Sequence, residues 1–373
     1  MYTKIGKLII LLLLFSITAT AQPFQPVNPN TSPEARQLLE FMYSIQGKFT
    51  LTGQHNFVSD LKRYDDIVFN MTGKYPVVWG SDFSFNALGD SIRNYQHCGP
   101  MNLTVPYDRC EVNGRTTQEL RQGLVDEAIK KYKEGRIITL MWHCCFPTDG
   151  DDCDGSTIWV WKNKMSPETW QQLVTDGTTL NKAWKKQMDG VAIYLKKLQD
   201  AKVPVLWRPY HEMNGVWFWW CDWAGEWGFK KLWIMTYEYL TNHHKLNNLI
   251  WVWNPNAPRD IPGDEAGPYK YFYPGSEYVD ILSADVYRRD YKQSHHDDLM
   301  KLGDGRLISL GEVGQLPTLE QYRAQPNWSW FMVWGYFIGR RGQNDDVISI
   351  YNHSRSITLD KIDFSNNTYK LKQ

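Results

Sequence analysis

Short runs of apolar and β-branched residues alternate along this chain with longer amphipathic stretches. Each run has the length of a buried strand, and the stretches between them show helical spacing of apolar residues, as in Thr117 to Glu134 and Trp184 to Ala201. Such alternation is typical of βα units that pair in a parallel sheet. Eight runs are present: Phe49 to Gln54, Pro76 to Ser81, Ile137 to His143, Val203 to Arg208, Leu249 to Asn254, Val279 to Val286, Leu307 to Glu312 and Trp330 to Trp334.

Polar and aromatic side chains gather where these runs end, which is the ligand-binding edge of a parallel sheet. An open, doubly wound sheet also binds ligands there, but no glycine-rich turn follows the first run. Because every run ends in such a residue, the pattern favours a closed (β/α)8 TIM barrel with long βα loops. The end residues are Gln54, His55, Asp82, His143, His211, Glu212, Asn254, Asp285, Tyr287, Glu312 and Trp334.

The first 21 residues have the pattern of a cleavable signal peptide. Lys4 and Lys7 precede an apolar run from Leu8 to Phe15, and Ala19-Thr20-Ala21 offers a small-x-small cleavage site. The run is shorter than the roughly 20 residues that span a bilayer, which argues against a membrane anchor. We predict a secreted or periplasmic protein in which residues 22–373 form one barrel domain, since no linker or repeat divides them.

Charge and aromatic content narrow the class of partner. The chain has 41 Lys+Arg and 41 Asp+Glu, so it lacks the basic field that attracts nucleic acid or anionic membrane. It has 18 Trp and 21 Tyr among 373 residues. Part of this load belongs to the core, but such rings also stack on the apolar faces of sugars. We therefore expect an uncharged glycan as partner, no cofactor or metal, and a monomer.

Six cysteines would enter an oxidising compartment after export, which allows disulfides without requiring them. Cys98 and Cys110 bracket a loop that a bridge would close, and Cys153 lies near both Cys144 and Cys145. The sequence does not choose among these pairings. A zinc site around the last three is not favoured, because the His and Cys spacing fits none of the usual structural patterns.

A dense aromatic segment follows the fourth run, beside Glu212. The four rings of Trp217 to Trp220 cannot all point to one side of a helix or strand, so some of them line a cleft or loop surface. The structural alternative is that these rings are buried and only stabilise the fold. A carboxyl group beside such rings loses hydration, which raises its pKa. Glu212 is therefore a candidate proton donor to a glycosidic oxygen.

A second glutamate, Glu312, ends the seventh run between Gly311 and Gly314, where the glycines allow close approach of backbone and ligand. Alone, a glutamate at a strand end is more often an ion-pair partner. Opposite Glu212 across a barrel, it completes the pair of carboxylates that hydrolyses glycosidic bonds. A separation of about 5 to 5.5 Å would make the reaction retaining.

The segments WRPYHEMNGVWFWW (Trp207 to Trp220) and SLGEVG (Ser309 to Gly314) resemble glycoside hydrolase family 26, whose best-known members are β-1,4-mannanases. Shorter matches are LTGQH, WGSDF, LMWH, WVWNPN and ADVY. His211 before the glutamate is typical of this family, because most barrels of the same clan have Asn there. The resemblance implies a (β/α)8 barrel and an endo-type, double-displacement hydrolase of mannan, glucomannan or galactomannan.

The resemblance also implies roles for single residues. Glu212 matches the acid/base, Glu312 the nucleophile, and Tyr287 the tyrosine that bonds the nucleophile. His143 and His211 match residues that contact the sugar in the cleavage subsite, and Trp217 and Trp334 match rings that shape this subsite. Arg208 matches a residue that orients the carboxylates.

Structural alternatives exist for several of these residues. His143 also fits a core histidine with satisfied hydrogen bonds, Arg208 a barrel-interior ion pair, and Tyr287 and Trp334 core residues. Other polar residues are excluded from the catalytic prediction: Asp82 and Asp285 as structural hydrogen-bond acceptors, and the pairs His243-His244 and His295-His296 as solvated surface residues.

Substrate details stay open at this stage. Cys221-Asp222-Trp223 stands where many mannanases of the family continue with Gly, and Trp159 and Trp161 lie in a loop that often carries distal stacking residues. Long insertions, Asn86 to Thr116 and Cys144 to Leu180, would allow a mannobiose-releasing exo-enzyme. Mixed-linkage β-glucan or β-1,3-xylan are alternative substrates, and a non-catalytic β-glycan-binding protein is disfavoured because both glutamates are present.

Overall fold

The computed structural model describes residues 25–58, 60–83, 116–150, 155–339 and 344–372. The segment predicted as a signal peptide lies outside the described residues, as do Cys98, Cys110, Cys153 and the insertion from Asn86 up to residue 115. Among the described residues, no helix combines the length and the hydropathy needed to cross a membrane.

Eight parallel strands close into a barrel, which confirms the predicted fold. β1 is in two pieces, Thr50–Leu51 and Gly53–His55. The ring closes where Gln54 aligns with Val333 of the last strand, β8 (Trp328–Val333). The strands between them are β2 (Val78–Asp82), β3 (Ile137–Trp142), β4 (Val205–Pro209), β5 (Leu249–Trp253), β6 (Ile281–Val286) and β7 (Leu307–Val313).

All eight predicted runs contain a strand, and their ends are right to within two residues. The differences arise because backbone pairing, not apolarity, sets where a strand begins. The N–H of Val203 donates to Leu198 O of the preceding helix, whereas that of Val205 donates to Asn248 O. β4 therefore begins at Val205 although the apolar run begins earlier.

Helices cover the outside of the barrel, and the two predicted from periodicity are present as α3 (Thr117–Lys133) and α6 (Thr179–Asp200). α6 begins five residues before the predicted start because the Thr178 hydroxyl accepts from Asn181 N at 3.1 Å and caps it there. The others are α1 (Pro33–Ile45), α2 (Arg63–Thr72), α4 (Val160–Asn163), α5 (Pro167–Val174), α7 (Phe229–Glu238), α8 (Gln293–Gly303), α9 (Leu319–Ala324) and α10 (Asn344–Tyr351).

A C-terminal hairpin covers the N-terminal end of the barrel. After β9 (Ser356–Ile357), which pairs with Thr50–Leu51, the antiparallel strands β10 (Ile362–Ser365) and β11 (Thr368–Leu371) form the hairpin. The buried Tyr369 hydroxyl donates to Arg136 O, just before β3, at 2.8 Å. Substrate access is thereby left to the opposite end, where the strands finish.

Much of the tryptophan content is core. Ten indoles are less than 2% exposed. The high tryptophan content is therefore weaker evidence for sugar binding than the positions of individual rings are. The ten are Trp79, Trp142, Trp184, Trp207, Trp219, Trp220, Trp233, Trp251, Trp253 and Trp330.

Burial of one histidine pair differs from the prediction. His295 and His296 were predicted to be solvated but are buried in the first turn of α8, where the His296 ring packs edge-on against Trp328 with centroids 5.2 Å apart. A helix buries one side even in a polar stretch, which the local composition did not reveal. His243 and His244 lie at the surface, as predicted.

The cysteines settle part of the disulfide question. Cys145 is disulfide-bonded, whereas Cys144 and Cys221 carry thiols. Pairing of Cys153 with Cys144 is therefore wrong. The partner of Cys145 lies outside the described residues.

Candidate active site

A strained turn after β4 positions Glu212. Tyr210 and Glu212 have left-handed backbone, with φ of 52° and 56°. Such a conformation costs about 1–3 kcal/mol for a residue with a side chain and clusters at active sites. The N–H of Glu212 donates to Asn254 O at 2.7 Å, which fixes the turn to the end of β5.

Glu212 is 7% exposed, and two neutral donors hold its carboxyl group. Asn256 Nδ2 donates to Oε1 at 2.6 Å, and Trp217 Nε1 donates to Oε2 at 2.8 Å. Burial raises the pKa of Glu212, although the nearby Arg259 guanidinium and the two hydrogen bonds oppose that rise. The group is therefore suited to take up and release a proton.

Glu312 is 2% exposed, and its carboxyl group has different partners. The Tyr287 hydroxyl donates to Oε2 at 2.6 Å. Arg208 Nη1 and His211 Nε2 each lie 3.6 Å from Oε1, which has no hydrogen bond to any described residue. Burial raises the pKa of Glu312 to about 7, with Glu212 adding to the rise and Arg208 opposing it.

The side-chain amide of Asn254 positions Arg208, and it fits there only because residue 311 is a glycine. Arg208 Nη1 donates to Asn254 Oδ1 at 2.8 Å inside the barrel. A Cβ on Gly311 would lie 1.7 Å from that same Oδ1. Glycine at this position therefore makes room for the group that aims the guanidinium.

A histidine and aromatic cluster forms another part of the site. His143 donates its backbone N–H to Asp82 Oδ1 at 3.1 Å, and its Nδ1 lies 2.6 Å from Oδ2. Burial alone would lower the pKa of His143, but the carboxylates of Asp82, Glu312 and Glu212 together raise it above its usual value. The ring of His143 lies edge-on to His211 at 4.4 Å and 6.0 Å from Trp334, which stacks on His55 at 4.0 Å.

The structure thus brings all eight residues predicted for the site together where the strands end. Four are joined directly to a catalytic candidate: Trp217 to Glu212, and Tyr287, Arg208 and His211 around Glu312. His143 contacts His211, and Trp334 in turn contacts His143. Burial of Arg208 and Trp334 also fits their structural alternatives.

The sequence profile of glycosyl hydrolase family 26 matches residues 27–93 and 108–361. The chain belongs to this family. Over 344 residues it is 32% identical to a mannan endo-1,4-β-mannosidase of Thermothelomyces thermophilus, covering 90% of this chain and 62% of that protein. Two Piromyces mannan endo-1,4-β-mannosidases are 29% identical, and this chain spans 44% and 47% of their lengths.

Solved structures of family 26 proteins have the same fold. GH26A from Muricauda sp. MAR_2010_75 is 44% identical with a TM-score of 0.79, covering 90% of this chain and all of that one. A β-mannanase from a symbiotic protist of the termite Reticulitermes speratus, complexed with gluco-manno-oligosaccharide, is 27% identical with a TM-score of 0.70. That match covers 90% of this chain and 96% of the protist chain.

Two residues of this family 26 site were not identified from the sequence. Asn256 and Arg259 follow β5 in an irregular segment, and Arg259 Nη1 donates to Asn256 Oδ1. The only signal was the match WVWNPN, which ends at Asn256. Irregular backbone has no period from which side-chain direction is predicted.

The four rings after Glu212 divide between cleft and core. Trp217 is half-buried and bonds Glu212, as the cleft prediction required. Trp219 and Trp220 are buried and donate to Cys144 O and His211 O, so these two rings follow the structural alternative of burial. Beyond them Cys221 Sγ donates to Glu212 O at 3.1 Å, which ties the unusual segment to the acid/base candidate.

Proposed function

We propose that this family 26 protein is a retaining endo-β-1,4-mannanase acting on mannan, glucomannan or galactomannan. The observation that carries the proposal is the unlike surroundings of two buried glutamates at the ends of β4 and β7. Glycosidic cleavage with retention needs a proton donor and a nucleophile in such an arrangement. The names of the similar proteins support mannan as substrate.

In the first step, the protonated Glu212 carboxyl gives its proton to the glycosidic oxygen as the bond to the anomeric carbon breaks. Glu312 Oε1, which accepts no hydrogen bond from a described residue, attacks that carbon and forms a covalent glycosyl-enzyme. Tyr287 keeps Oε2 turned away from the attack. The leaving chain departs with the proton from Glu212.

In the second step, ionised Glu212 removes a proton from water, whose oxygen attacks the anomeric carbon and frees Glu312. The two inversions retain the anomeric configuration. Asn256 and Trp217 suit this alternation because neutral donors tolerate either protonation state better than a cation at hydrogen-bond distance would.

The remaining side chains would form the cleavage subsite. His211 and His143 offer ring nitrogens for sugar hydroxyls, while Trp217 and Trp334 provide ring surfaces beside the two carboxylates. Arg208 orients Glu312 from within the barrel. None of these roles needs a metal or cofactor.

Incubation with galactomannan, glucomannan, lichenan and xylan tests the proposal when product sizes are followed over time. Endo action gives oligosaccharides of mixed length from mannan, whereas exo action gives mannobiose alone. Product from lichenan or xylan but from no mannan would overturn the substrate. Proton NMR of the first product must show the β-anomer if the enzyme is retaining.

Variants test the two roles separately. Glu312→Ala should abolish turnover of every substrate. Glu212→Ala should spare activated aryl β-mannosides in the glycosylation step, since their leaving groups need little proton donation. Equal loss on polysaccharide and aryl substrates in Glu212→Ala would contradict the assigned roles.

We also propose export to the periplasm or medium, which the charged and apolar N-terminal segment supports. N-terminal sequencing of the protein recovered outside the cytoplasm should then begin near Gln22. A sequence that begins at residue 1 would contradict cleavage.

A further inference from the structure

We infer that Arg259 is a positioning residue for Glu212, because it fixes both side chains that hydrogen-bond the Glu212 carboxyl. The inference rests on the proposed function, in which Glu212 is the acid/base. Arg259 itself makes no hydrogen bond to either glutamate among the described contacts. It lies in the segment after β5, where it contacts both Asn256 and Trp217.

The first constraint acts on Asn256. Its Nδ2 donates to Glu212 Oε1 at 2.6 Å, while its Oδ1 accepts from Arg259 Nη1. An amide flip would place the oxygen against the carboxylate and the NH2 group against the guanidinium, which has only donors. Arg259 therefore holds the amide in the one orientation that gives Glu212 a donor.

The second constraint acts on Trp217. The Arg259 guanidinium carbon lies 5.1 Å from the centroid of that ring, within the range of a cation–π contact. On another side the ring packs so closely on Gly215 that a Cβ there would lie 2.3 Å from it. Trp217 is only half-buried, so these contacts keep its Nε1 directed at Glu212 Oε2.

Arg259 is itself held rigidly. Its Nε donates to Asp264 O at 2.8 Å, and its Nη2 donates to Asp264 Oδ1 at 2.5 Å. Its backbone exchanges two hydrogen bonds with Ala266. Asp264 Oδ2 lies 2.8 Å from Arg288, which directly follows Tyr287, so the same carboxylate also contacts the segment that holds the nucleophile.

The charge of Arg259 has a separate effect. Several charged or titratable groups from strands and loops surround Glu212. Arg259 and His143 favour its ionised form, and Arg259 has the larger effect. Four other groups lose part of their tendency to ionise when Glu212 is charged, because each would carry a like negative charge. They are Glu312, Asp285, Tyr287 and Cys221. Removal of Arg259 should therefore raise the pKa of Glu212.

The variant Arg259→Met tests both effects. We expect kcat/KM on mannooligosaccharides to fall about tenfold and the alkaline limb of its pH profile to move up by about half a unit or more, since the acid stays protonated longer. With a dinitrophenyl β-mannoside, glycosylation should change less than about threefold, because that leaving group needs no proton. A general loss of structure would reduce both rates alike.

The variant Arg259→Lys separates charge from geometry. An ammonium keeps the positive charge but lacks the planar fork that bonds Asn256 and Asp264 together. We expect the alkaline limb to stay within about 0.2 units of the parent while kcat/KM on the oligosaccharide still falls. An alkaline limb that moves as far as in Arg259→Met would contradict the electrostatic part of the inference.

A matched control is Arg355→Met, which removes an arginine 5.0 Å from the Tyr322 ring centroid with bonds to Tyr322 O and Pro326 O. It should lower thermal stability without moving the pH profile. Unchanged kinetics in Arg259→Met, or equal losses on both substrates with an unmoved alkaline limb, would overturn the inference.

A second readout does not depend on the substrate. The Glu212 carboxyl is titrated by ¹³C NMR in glutamate-labelled protein and identified by its loss in Glu212→Gln. Its pKa should rise in Arg259→Met, and an unchanged value would overturn the inference even if no mannan is cleaved. Failure of the parent on every mannan would instead contradict the proposed function.

Discussion

The Tyr287 hydroxyl donates a 2.6 Å hydrogen bond to Oε2 of Glu312. A hydrogen bond to a charged group contributes about 1.5–3 kcal/mol. If Glu312 is the nucleophile, Tyr287→Phe should lower kcat/KM by about 10- to 100-fold. The bond also lowers the pKa of Glu312, so its loss should move the acid limb of the pH profile upward. Steady-state kinetics between pH 4 and 9 measure both effects.

Tyr291→Phe is the matched control for that variant. The Tyr291 hydroxyl donates to Gln315 O, also at 2.6 Å, and is buried, but it does not contact a catalytic candidate. Its removal should cost stability and leave the acid limb in place. A similar shift of the acid limb in both variants would show that the effect does not come from the Glu312 bond.

Burial of Glu312 predicts a pH-dependent cost in stability. Its folded-state pKa of about 7 exceeds the ordinary glutamate value of 4.5, so the folded protein holds this proton more tightly than the unfolded chain does. The resulting stabilisation is complete below about pH 4.5 and is lost as pH rises through about 7. Glu312→Gln carries no charge, so it should raise the melting temperature at pH 8 by several degrees.

Calorimetry at pH 4, 6 and 8 checks that prediction. The gain in melting temperature of Glu312→Gln over the parent should shrink as pH falls and should be close to zero at pH 4. A gain of the same size at all three values would mean that the carboxyl keeps an ordinary pKa in the fold.

The sequence predicted the barrel because a buried parallel strand has a readable pattern. Most of the eight runs are largely apolar, and each ends at a polar or aromatic residue, so the eight units and the positions of Glu212 and Glu312 followed from spacing. The resemblance to family 26 added the roles of Tyr287 and His143. Strand ends were less certain because they depend on backbone pairing between distant segments.

What the sequence did not reveal depends on irregular segments and on tertiary packing. Asn256 and Arg259 act through side chains whose direction is set by contacts with Glu212, Trp217 and Asp264, and no local pattern encodes such contacts. Burial of His296 has the same cause, since it depends on Trp328, which lies on another element.

A buried ion pair far from the site predicts a loss of stability without loss of chemistry. Asp65 Oδ2 lies 3.0 Å from Arg136 Nη2, and both side chains are 1% exposed near the start of β2 and β3. Asp65→Ala would leave a buried guanidinium without its carboxylate, which costs about 3–5 kcal/mol. Urea unfolding should show this loss, while kcat/KM at 25 °C stays within about twofold of the parent. A tenfold loss of activity in folded protein would contradict the separation.

Gly311 links the packing of the barrel to the site, and Gly311→Ala tests that link. The added Cβ would lie 1.7 Å from Asn254 Oδ1 and 2.7 Å from Ser283 Oγ, so Asn254 must move and release Arg208. We expect a loss of about 1–3 kcal/mol from overpacking and at least about a tenfold fall in kcat/KM. In contrast, a Cβ on Gly123 in α3 meets no atom within 4 Å, so Gly123→Ala should stabilise the fold by about 1 kcal/mol and leave activity unchanged. Urea unfolding and kinetics on the two variants decide the matter, because full activity in Gly311→Ala would show that Asn254 does not aim Arg208 at Glu312.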